Sequence, residues 1–235
     1  MEYKKNLSQP KLILLDVYQT ILNMNEIERR INSLLDSKRG YVLWFELFMQ
    51  YTFLNNSTSQ FHDFSSIAEA TLRMTSHMLD REIQADRIKE ILERMKHLPL
   101  QEGVSDGLSG LSDQNYRIAA LTNSPERIIT ERMKNTGLIS YFEKVLSAEQ
   151  VKKYKPANEV YQWAAKQLNL STDEILMVSA HSWDIAGAEN AGMQTAFIRQ
   201  NRQMLYPLAP EPGFICLNLP DLSEQLRLFY PDKTS

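Results

Sequence analysis

The sequence predicts an α/β fold in which a doubly wound parallel sheet forms the core and an all-helical segment is inserted after the first strand. Two observations predict it. Short apolar runs alternate with helical patterns through the second half of the chain, and a long stretch without a convincing strand separates the first apolar run from the others. A length of 235 residues suits one core domain that carries a smaller insertion.

The predicted strands are short, partly β-branched apolar runs of the kind that lie buried in a parallel sheet. They span residues 12–15, 118–121, 175–179, 195–198 and 214–217, and Val145-Leu146 begins a further candidate. Helical patterns at 159–168 and 184–191 separate the later strands, and Gly192 stands at the C′ position where a helix commonly ends. This alternation is typical of the doubly wound, Rossmann-like arrangement, with helices on both faces of the sheet.

The segment from residue 21 to residue 98 contains helical rather than strand patterns. Apolar residues recur on one helical face through 81–98, and the stretches 41–53 and 67–79 are also rich in large apolar side chains. The predicted organisation is a Rossmann-like core of residues 1–20 and 99–235 with an inserted all-helical cap of residues 21–98.

The composition argues against several classes of protein. The net charge is −3 and the basic residues are scattered, which disfavours nucleic acid as a partner. No run of about 18 apolar residues exists, so no membrane span is predicted and the chain is expected to be cytoplasmic. Cys216 is the one cysteine, which excludes an internal disulfide and a thiolate metal cage.

Polar side chains stand at the ends of three predicted strands and near the start of one predicted helix. Asp16 follows the first strand, residues 122–124 follow the second, and residues 179–184 follow a later one. Lys155 precedes Pro156, close to the helix predicted from residue 159. Because the carboxyl ends of parallel strands meet at one edge of the sheet, these groups are candidates for a single ligand site.

Each of these groups also has a purely structural interpretation. An aspartate after a strand often forms a turn, and Ser124 with Pro125 suits the N-cap and first position of a helix. Lys155 taken alone is more often a solvated surface residue. A serine–histidine–aspartate relay within 179–184 is disfavoured, because such triads come from distant segments and no G-x-S-x-G turn is present.

Taken in order, the four elements resemble the motifs of the haloacid dehalogenase superfamily. The resemblance rests on Asp16 with Thr20, on Thr122, on Lys155-Pro156 and on the loop that ends at Asp184. The inserted helices resemble the superfamily's helical cap. The resemblance implies a hydrolase whose Asp16 carboxylate acts as nucleophile and forms a covalent ester intermediate.

Variable positions distinguish the branches of this superfamily. Phosphatase members carry a second acid two residues after the nucleophile and an acidic pair in the last loop, and here those positions hold Tyr18 and Ala180. Because Mg²⁺ needs several oxygen ligands, the pattern favours the metal-independent 2-haloacid dehalogenases (type II) and no cofactor. The alternative is a Mg²⁺-dependent phosphatase of the same superfamily that holds the metal with Asp16 and Asp184.

The similarity to the type II dehalogenases extends to Tyr154-Lys155-Pro156 and to Trp183-Asp184, with His181 where many members have asparagine. It implies a small carboxylate-bearing substrate such as a 2-halo acid, bound in the cleft between core and cap, and homodimers by analogy alone. The catalytic residues that it implies are Asp16, Thr122, Lys155, Ser179 and Asp184. The substrate-binding residues that it implies are Tyr18, Thr20, Phe45, Asn123, Tyr161, His181 and Trp183.

Two positions depart from that pattern. Gln19 replaces the glycine of the first motif, and Phe45 replaces the arginine that holds the leaving halide in those enzymes. Loss of that cation removes a stabiliser of developing negative charge. Either Asn123 or His181 holds the halide instead, or the substrate is not a short halo acid. A binding protein that has kept the fold without turnover is therefore a third hypothesis.

Overall fold

The strands of the computed structural model, which describes residues 7–200 and 203–231, form a single sheet. They are β1 (Leu12–Leu15), β2 (Arg117–Thr122), β3 (Lys144–Ser147), β4 (Ile175–Ser179), β5 (Gln194–Ile198) and β6 (Phe214–Cys216). All neighbours are parallel and their order is β3-β2-β1-β4-β5-β6. The predicted doubly wound α/β core is confirmed; residues 1–6 and 232–235, at the two ends of that predicted core, lie outside the described residues.

The helices fall into two groups. Between β1 and the return of the chain to the sheet lie α1 (Asn25–Leu34), α2 (Gly40–Thr58), α3 (Phe64–Met78) and α4 (Ala85–Arg94). Alternating with the later strands are α5 (Val104–Asp113), α6 (Glu126–Asn135), α7 (Asn158–Gln167), α8 (Ser182–Asn190) and α9 (Leu219–Phe229). The first group lies within the predicted insertion, where α2 packs on α1 and α3. The domain boundaries at residues 20 and 98 stay predictions.

Within residues 7–200 and 203–231, no helix is long and apolar enough to span a bilayer.

The register of the central strands brings their carboxyl ends to one edge of the sheet. Leu15, the last residue of β1, is level with Ala120 of β2 and with Val178 of β4. All four residues of β1 are buried and alternate between the two faces, Leu12 and Leu14 toward α7, Ile13 and Leu15 toward the opposite layer. β1 also lies where the strand order reverses, the place where open α/β sheets bind ligands.

The helix predicted over 81–98 is shorter in the structure. α4 starts only at Ala85, because Gln84 has an extended backbone with ψ of 143°. It ends at Arg94 and gives way to a 3-10 turn, Met95–His97. The predicted stop at Gly192 is confirmed: it follows α8 with φ of +85°, a left-handed conformation that glycine adopts without a Cβ clash.

Ser124 is not the helix cap that its position suggested. α6 begins at Glu126, and Pro125, with ψ of 131°, is the N-cap residue. Ser124 is bound to the sheet edge instead: its N–H donates to Thr122 Oγ1 (3.1 Å) and its carbonyl accepts from Ser147 Oγ (2.8 Å). These bonds fix the turn that leaves β2 next to β3.

Helices α5 and α9 pack closely against each other. A Cβ atom on Gly107 would lie 2.4 Å from Leu219 Cβ and 2.7 Å from the Leu219 backbone carbon. A Cβ on Gly110, one turn later, would meet only Ser223 Oγ at 2.6 Å and Cβ at 3.4 Å. The Cβ atom on Gly107 would meet the backbone of Leu219, which moves only if α9 shifts. The Cβ atom on Gly110 would meet the hydroxyl of Ser223, which can rotate.

We therefore expect Gly107→Ala to lower the free energy of unfolding by about 1–3 kcal/mol, because α9 must shift to admit the new methyl group. Gly110→Ala is the matched control in the same helix. We expect it to stay within about 1 kcal/mol of the wild type, since the higher helix propensity of alanine offsets the displaced hydroxyl. Urea unfolding followed by circular dichroism measures both; equal losses would contradict the difference in packing.

Candidate active site

Asp16 lies directly after β1, at the centre of the sheet edge. Its N–H donates to the carbonyl of Val178 at 2.9 Å, which extends the pairing of β1 with β4 by one residue. Asp16 is only 5% exposed. Its carboxylate is therefore withdrawn from bulk water and depends on protein groups for charge balance and hydrogen bonds.

Lys155 provides that balance from the segment that precedes α7. Its Nζ donates to Asp16 Oδ1 (2.7 Å), to Asp184 Oδ2 (2.7 Å) and to the carbonyl oxygen of Leu121 (3.1 Å). An ammonium group has three N–H donors, and these contacts use all of them. Lys155 is 1% exposed and Asp184 is fully buried, so one buried cation is shared by two buried carboxylates.

This arrangement sets the protonation of the cluster. Burial by itself would raise the pKa of Asp16, but the charge of Lys155 and the hydrogen bonds from Lys155 and Thr20 outweigh it and leave that pKa below its usual 3.8. Burial would likewise lower the pKa of Lys155, and the charges of Asp16 and Asp184 instead raise it above 10.5. At neutral pH Asp16 is thus an ionised carboxylate, the form that a nucleophile requires.

The hydroxyl groups of two residues, Thr20 and Tyr161, orient the two carboxylates through hydrogen bonds. Thr20 Oγ1 donates to Asp16 Oδ2 (2.8 Å) and accepts from the N–H of Ala180 (2.9 Å). Tyr161 OH donates to Asp184 Oδ1 at 2.6 Å. Burial, then the charge of Asp184, raise the pKa of Tyr161 well above 10.0, so this hydroxyl remains a donor. Thr20 and Tyr161, expected to bind substrate, each contact a carboxylate of the cluster.

The polar side chains at the ends of β2 and β4 also form hydrogen bonds with backbone groups. Thr122 Oγ1 accepts the N–H of Ser124, and Ser179 Oγ accepts the N–H of His181, both at 3.1 Å. The side chain of Asn123 forms two hydrogen bonds with the backbone of Lys155: Oδ1 accepts its N–H (2.8 Å) and Nδ2 donates to its carbonyl (3.4 Å). The Asn123 amide therefore holds the Lys155 backbone, and it has a second N–H that this pairing does not use.

A small cavity, about 30 Å³ in volume, lies over Asp16. The polar part of its lining lies on the sheet side, where Tyr18, Thr122, Asn123, Lys155 and His181 join Asp16. The helical insertion contributes the apolar side chains Met24, Trp44, Phe45, Phe48, Met49, Phe64 and Met95. Among the described residues that line this cavity, Lys155 is the one cation.

Phe45 forms part of an aromatic wall of this cavity. Its ring stacks on His181 with centroids 5.8 Å apart, and His181 stacks on Trp183 at 5.0 Å. The Trp183 ring lies 5.9 Å from Lys155 Nζ. The same three rings also line a wider outer pocket of about 640 Å³, together with Gln19 and Tyr41. The wall therefore separates the inner cavity over Asp16 from the outer pocket.

His181 is a neutral member of that wall. Its Nε2 lies 3.2 Å from the carbonyl oxygen of Tyr18 and 3.7 Å from Asp16 Oδ2. Burial keeps the pKa of His181 below 6.5 in spite of the nearby charge of Asp16, so the ring is uncharged at neutral pH. Because a carbonyl can only accept, Nε2 carries the proton, and His181 presents an N–H close to Asp16.

Gln19 has a backbone conformation that favours glycine. Its φ is +61°, in the left-handed region that costs a side-chain-bearing residue of order 1 kcal/mol. Its amide donates to Tyr41 OH (2.9 Å) and accepts from Gln203 (2.7 Å), and its carbonyl accepts from Gln101 (2.9 Å). These bonds join the loop after β1 to α2, to the segment before α5 and to the loop before β6. They also offset the strain.

Sequence reasoning missed three groups that shape the site. The carbonyl of Leu121 is a backbone group that no side-chain pattern signals. Asn56 of α2 contacts the backbone of Tyr154, across the boundary between the inserted helices and the core. Gly187 of α8 leaves room for Tyr161, since a Cβ there would lie 2.7 Å from the tyrosine oxygen. Only Gly187 had a signal, the run of small residues after Asp184.

The donor set fits an ion-pair network better than a Mg²⁺ site. The described residues contain no cluster of three or more His, Cys, Asp or Glu side chains that could hold a metal ion. Asp16 and Asp184, the two ligands expected under the phosphatase hypothesis, are already bridged by the Lys155 ammonium at 2.7 Å from each. A divalent ion using the same oxygens would have to compete with that ammonium.

Comparisons with known proteins agree with this fold. The sequence model of a family described as haloacid dehalogenase-like hydrolase matches residues 13–198. An (S)-2-haloacid dehalogenase from Pseudomonas sp. (strain YL) is 26% identical over 87% of this chain and 89% of that protein. The (S)-2-haloacid dehalogenase 4A of Burkholderia cepacia is 28% identical over 84% of each. The structure of the L-2-haloacid dehalogenase of Xanthobacter autotrophicus with chloropropionic acid covalently bound superposes with a TM-score of 0.84, at 20% identity, and covers 93% of this chain and 99% of that one.

Removing the shared cation should destabilise the protein in a pH-dependent way. We expect Lys155→Met to lower the free energy of unfolding by about 3–5 kcal/mol at pH 7, because two buried carboxylates lose their partner. The pKa of Asp16 then rises above its unfolded value, so protonation relieves part of the loss. The deficit should therefore be smaller at pH 5 than at pH 7. In the wild type the cluster contributes its stability between pH 3.8 and pH 10.5, and loses it as the pH falls through the lowered pKa of Asp16 or rises through the raised pKa of Lys155.

Urea unfolding at the two pH values measures this difference. Lys11→Met is the matched control, because Lys11 pairs with Glu174 at the surface and is 63% exposed. It should change stability little and equally at both pH values. A Lys155→Met variant whose deficit does not depend on pH would show that the two carboxylates do not rely on this ammonium.

Proposed function

This chain belongs to the haloacid dehalogenase-like hydrolases, and we propose that it is a metal-independent dehalogenase of small 2-halo acids that uses Asp16 as its nucleophile. The observation that carries the proposal is the Lys155 ammonium, held 2.7 Å from both Asp16 and Asp184 at the floor of an apolar cavity. It keeps Asp16 ionised without a metal. The relatives named as 2-haloacid dehalogenases, and the neighbour with covalently bound chloropropionic acid, support the same chemistry.

In the first step a carboxylate oxygen of Asp16 attacks the carbon that bears the halogen. A carbon–oxygen bond forms, the carbon–halogen bond breaks, and the halide leaves with the bonding electron pair. Halide is a weak base and needs no proton as it leaves, so Tyr18 in place of a second acid is no handicap. The leaving group of a phosphate ester would need that acid.

In the second step water adds to the carbonyl carbon of the Asp16 ester and releases the hydroxy acid. Ester formation removes the negative charge of Asp16, so Lys155 becomes free to donate to the ester carbonyl and to stabilise the oxyanion as water adds. Asp184 is then the carboxylate that remains beside Lys155. It takes one proton of the attacking water and returns it to the alkoxide oxygen as the ester carbon–oxygen bond breaks, while the regenerated Asp16 carboxyl group releases the other proton to solvent. Tyr161 holds Asp184 in place at 2.6 Å.

The halide leaves toward the wall formed by Phe45, His181 and Trp183. Both alternatives to the missing arginine line the cavity: Asn123 keeps an amide N–H that its bond to the Lys155 carbonyl does not use, and the Nε2–H of His181 would exchange its contact with the Tyr18 carbonyl for the halide. His181 Nε2 lies 3.7 Å from Asp16 Oδ2. Phe45 contributes shape to this wall and no charge.

The covalent step predicts where the oxygen of the product comes from. In a single turnover with enzyme in excess in ¹⁸O-labelled water, 2-chloropropionate should yield lactate without label, because its new oxygen comes from Asp16. The label should appear in the Asp16 carboxylate, which mass spectrometry of the Asp16 peptide detects. Labelled product in the first turnover would rule out the ester.

Replacement of Asp16 should abolish turnover with little loss of folding. We expect Asp16→Asn to reduce halide release by at least about a millionfold, to the detection limit, as expected for loss of a covalent nucleophile. Asp113→Asn, on α5 and away from the cluster, is the control and should match the wild type. Halide release by the Asp16→Asn protein would show that another group attacks.

The metal-independent proposal predicts that chelator has no effect on activity. Halide release from 2-chloropropionate should be unchanged by EDTA and by added Mg²⁺, whereas a generic phosphomonoester should not be hydrolysed under either condition. Phosphate release that chelator removes would favour the phosphatase instead. Inactivity toward both substrates and toward a wider panel of halo acids would favour a binding protein.

A further inference from the structure

The backbone that carries Lys155 is held from two sides by asparagine side chains. From the core, Asn123 accepts the N–H of Lys155 at 2.8 Å and donates to its carbonyl at 3.4 Å. From the inserted helices, Asn56 accepts the N–H of Tyr154 at 2.8 Å and donates to its carbonyl at 2.8 Å. The backbones of Tyr154 and Lys155 are thus each held by two hydrogen bonds to an asparagine amide, which comes from the insertion for Tyr154 and from the core for Lys155.

Further contacts from the inserted helices hold the same segment. The backbone carbonyl of Asn56 accepts from Lys153 Nζ at 3.1 Å. The ring of Tyr154 is fully buried, stacks on Phe61 at 5.3 Å, and donates its hydroxyl to the carbonyl of His62. The residue before Lys155 is therefore packed into the helical insertion, while the ammonium of Lys155 reaches the sheet edge.

The position of this backbone decides where the ammonium lies. Lys155 must reach two carboxylates and the Leu121 carbonyl at once, and all three N–H donors are used. The charged and titratable groups around it are Asp16, Asp184 and His181. A displacement of about 1 Å in the position of a catalytic group slows a reaction by up to ~100-fold. A side chain that fixes the backbone next to Lys155 therefore acts on the reacting carboxylate.

We propose that Asn56 is a positioning residue, through which the docked helical insertion places Lys155 between Asp16 and Asp184. The inference rests on the proposed function for its kinetic consequence, because Lys155 matters to turnover only if Asp16 is the nucleophile. Asn56 touches no reacting atom. Its effect passes through the Tyr154 backbone to the ammonium, so the site is complete only when α2 is seated on the core.

The test compares Asn56→Ala with Asn55→Ala in the full-length protein. Asn55 is the preceding residue of α2, and its amide bonds only within the insertion, to the Tyr51 carbonyl (2.7 Å) and the His62 N–H (3.0 Å). We expect Asn56→Ala to lower kcat for 2-halo acids ~10-fold or more with KM little changed. Asn55→Ala should keep the wild-type kcat. Asn56→Asp, which retains the acceptor for the Tyr154 N–H, should fall between them.

A second measurement does not depend on turnover. In protein labelled with ¹⁵N at the lysine side chains, the Lys155 signal, identified by its loss in Lys155→Arg, reports the pKa of that ammonium. We expect this pKa to be lower in Asn56→Ala than in the wild type and unchanged in Asn55→Ala. Thermal unfolding shows whether each variant is folded.

The outcomes are distinct. A lowered Lys155 pKa in Asn56→Ala alone supports the positioning role even if the wild type releases no halide, a result that would count against the proposed function only. An unchanged Lys155 pKa and kcat in folded Asn56→Ala would overturn the positioning role. So would equal losses in Asn55→Ala and Asn56→Ala, because both would then reflect general loosening of the insertion.

Discussion

The buried ammonium of Lys155 is the interaction on which the rest of the site depends. It lies between Asp16 and Asp184, all three groups are almost inaccessible to water, and neither carboxylate could remain ionised there without it. An unpaired charge in such a place would be protonated or would draw water into the site. The cluster therefore explains how Asp16 stays ionised at the floor of an apolar cavity.

Several elements of the fold serve to assemble this cluster. The register of β1 with β2 and β4 brings Asp16 and the Leu121 carbonyl within reach of one lysine side chain. The start of α8 supplies Asp184, and Gly187 lets that helix approach Tyr161 closely. The inserted helices contribute from the opposite side through Asn56 and through the apolar wall. The helical insertion thus contacts the backbone next to Lys155 and also covers the cavity over Asp16.

The two departures from the dehalogenase pattern have different physical meanings. Gln19 is a compensated change, because its left-handed backbone, which favours glycine, is held by amide hydrogen bonds to Tyr41 of the insertion and to Gln203 of the core. Phe45 changes the chemistry of the wall, because it replaces a cation by a ring stacked on a neutral His181. Under the proposed function, the departing anion is therefore stabilised by N–H donors on Asn123 and His181, which line the cavity, in place of that cation.

The sequence by itself determined the class of fold, the family and the polar residues that gather at the sheet edge. Those features follow from local patterns: apolar runs of strand length, turn-forming residues after them, and motif order along the chain. Local patterns also misplaced the ends of the helix within 81–98 and the role of Ser124, whose partners lie on another strand. Only the tertiary structure decided that Asn123 and Asn56 hold the backbone beside Lys155, that Tyr161 bonds to Asp184, and that Phe45 stacks on His181. These contacts join residues far apart in the sequence, and their partners are often backbone groups, so no side-chain pattern along the chain can specify them.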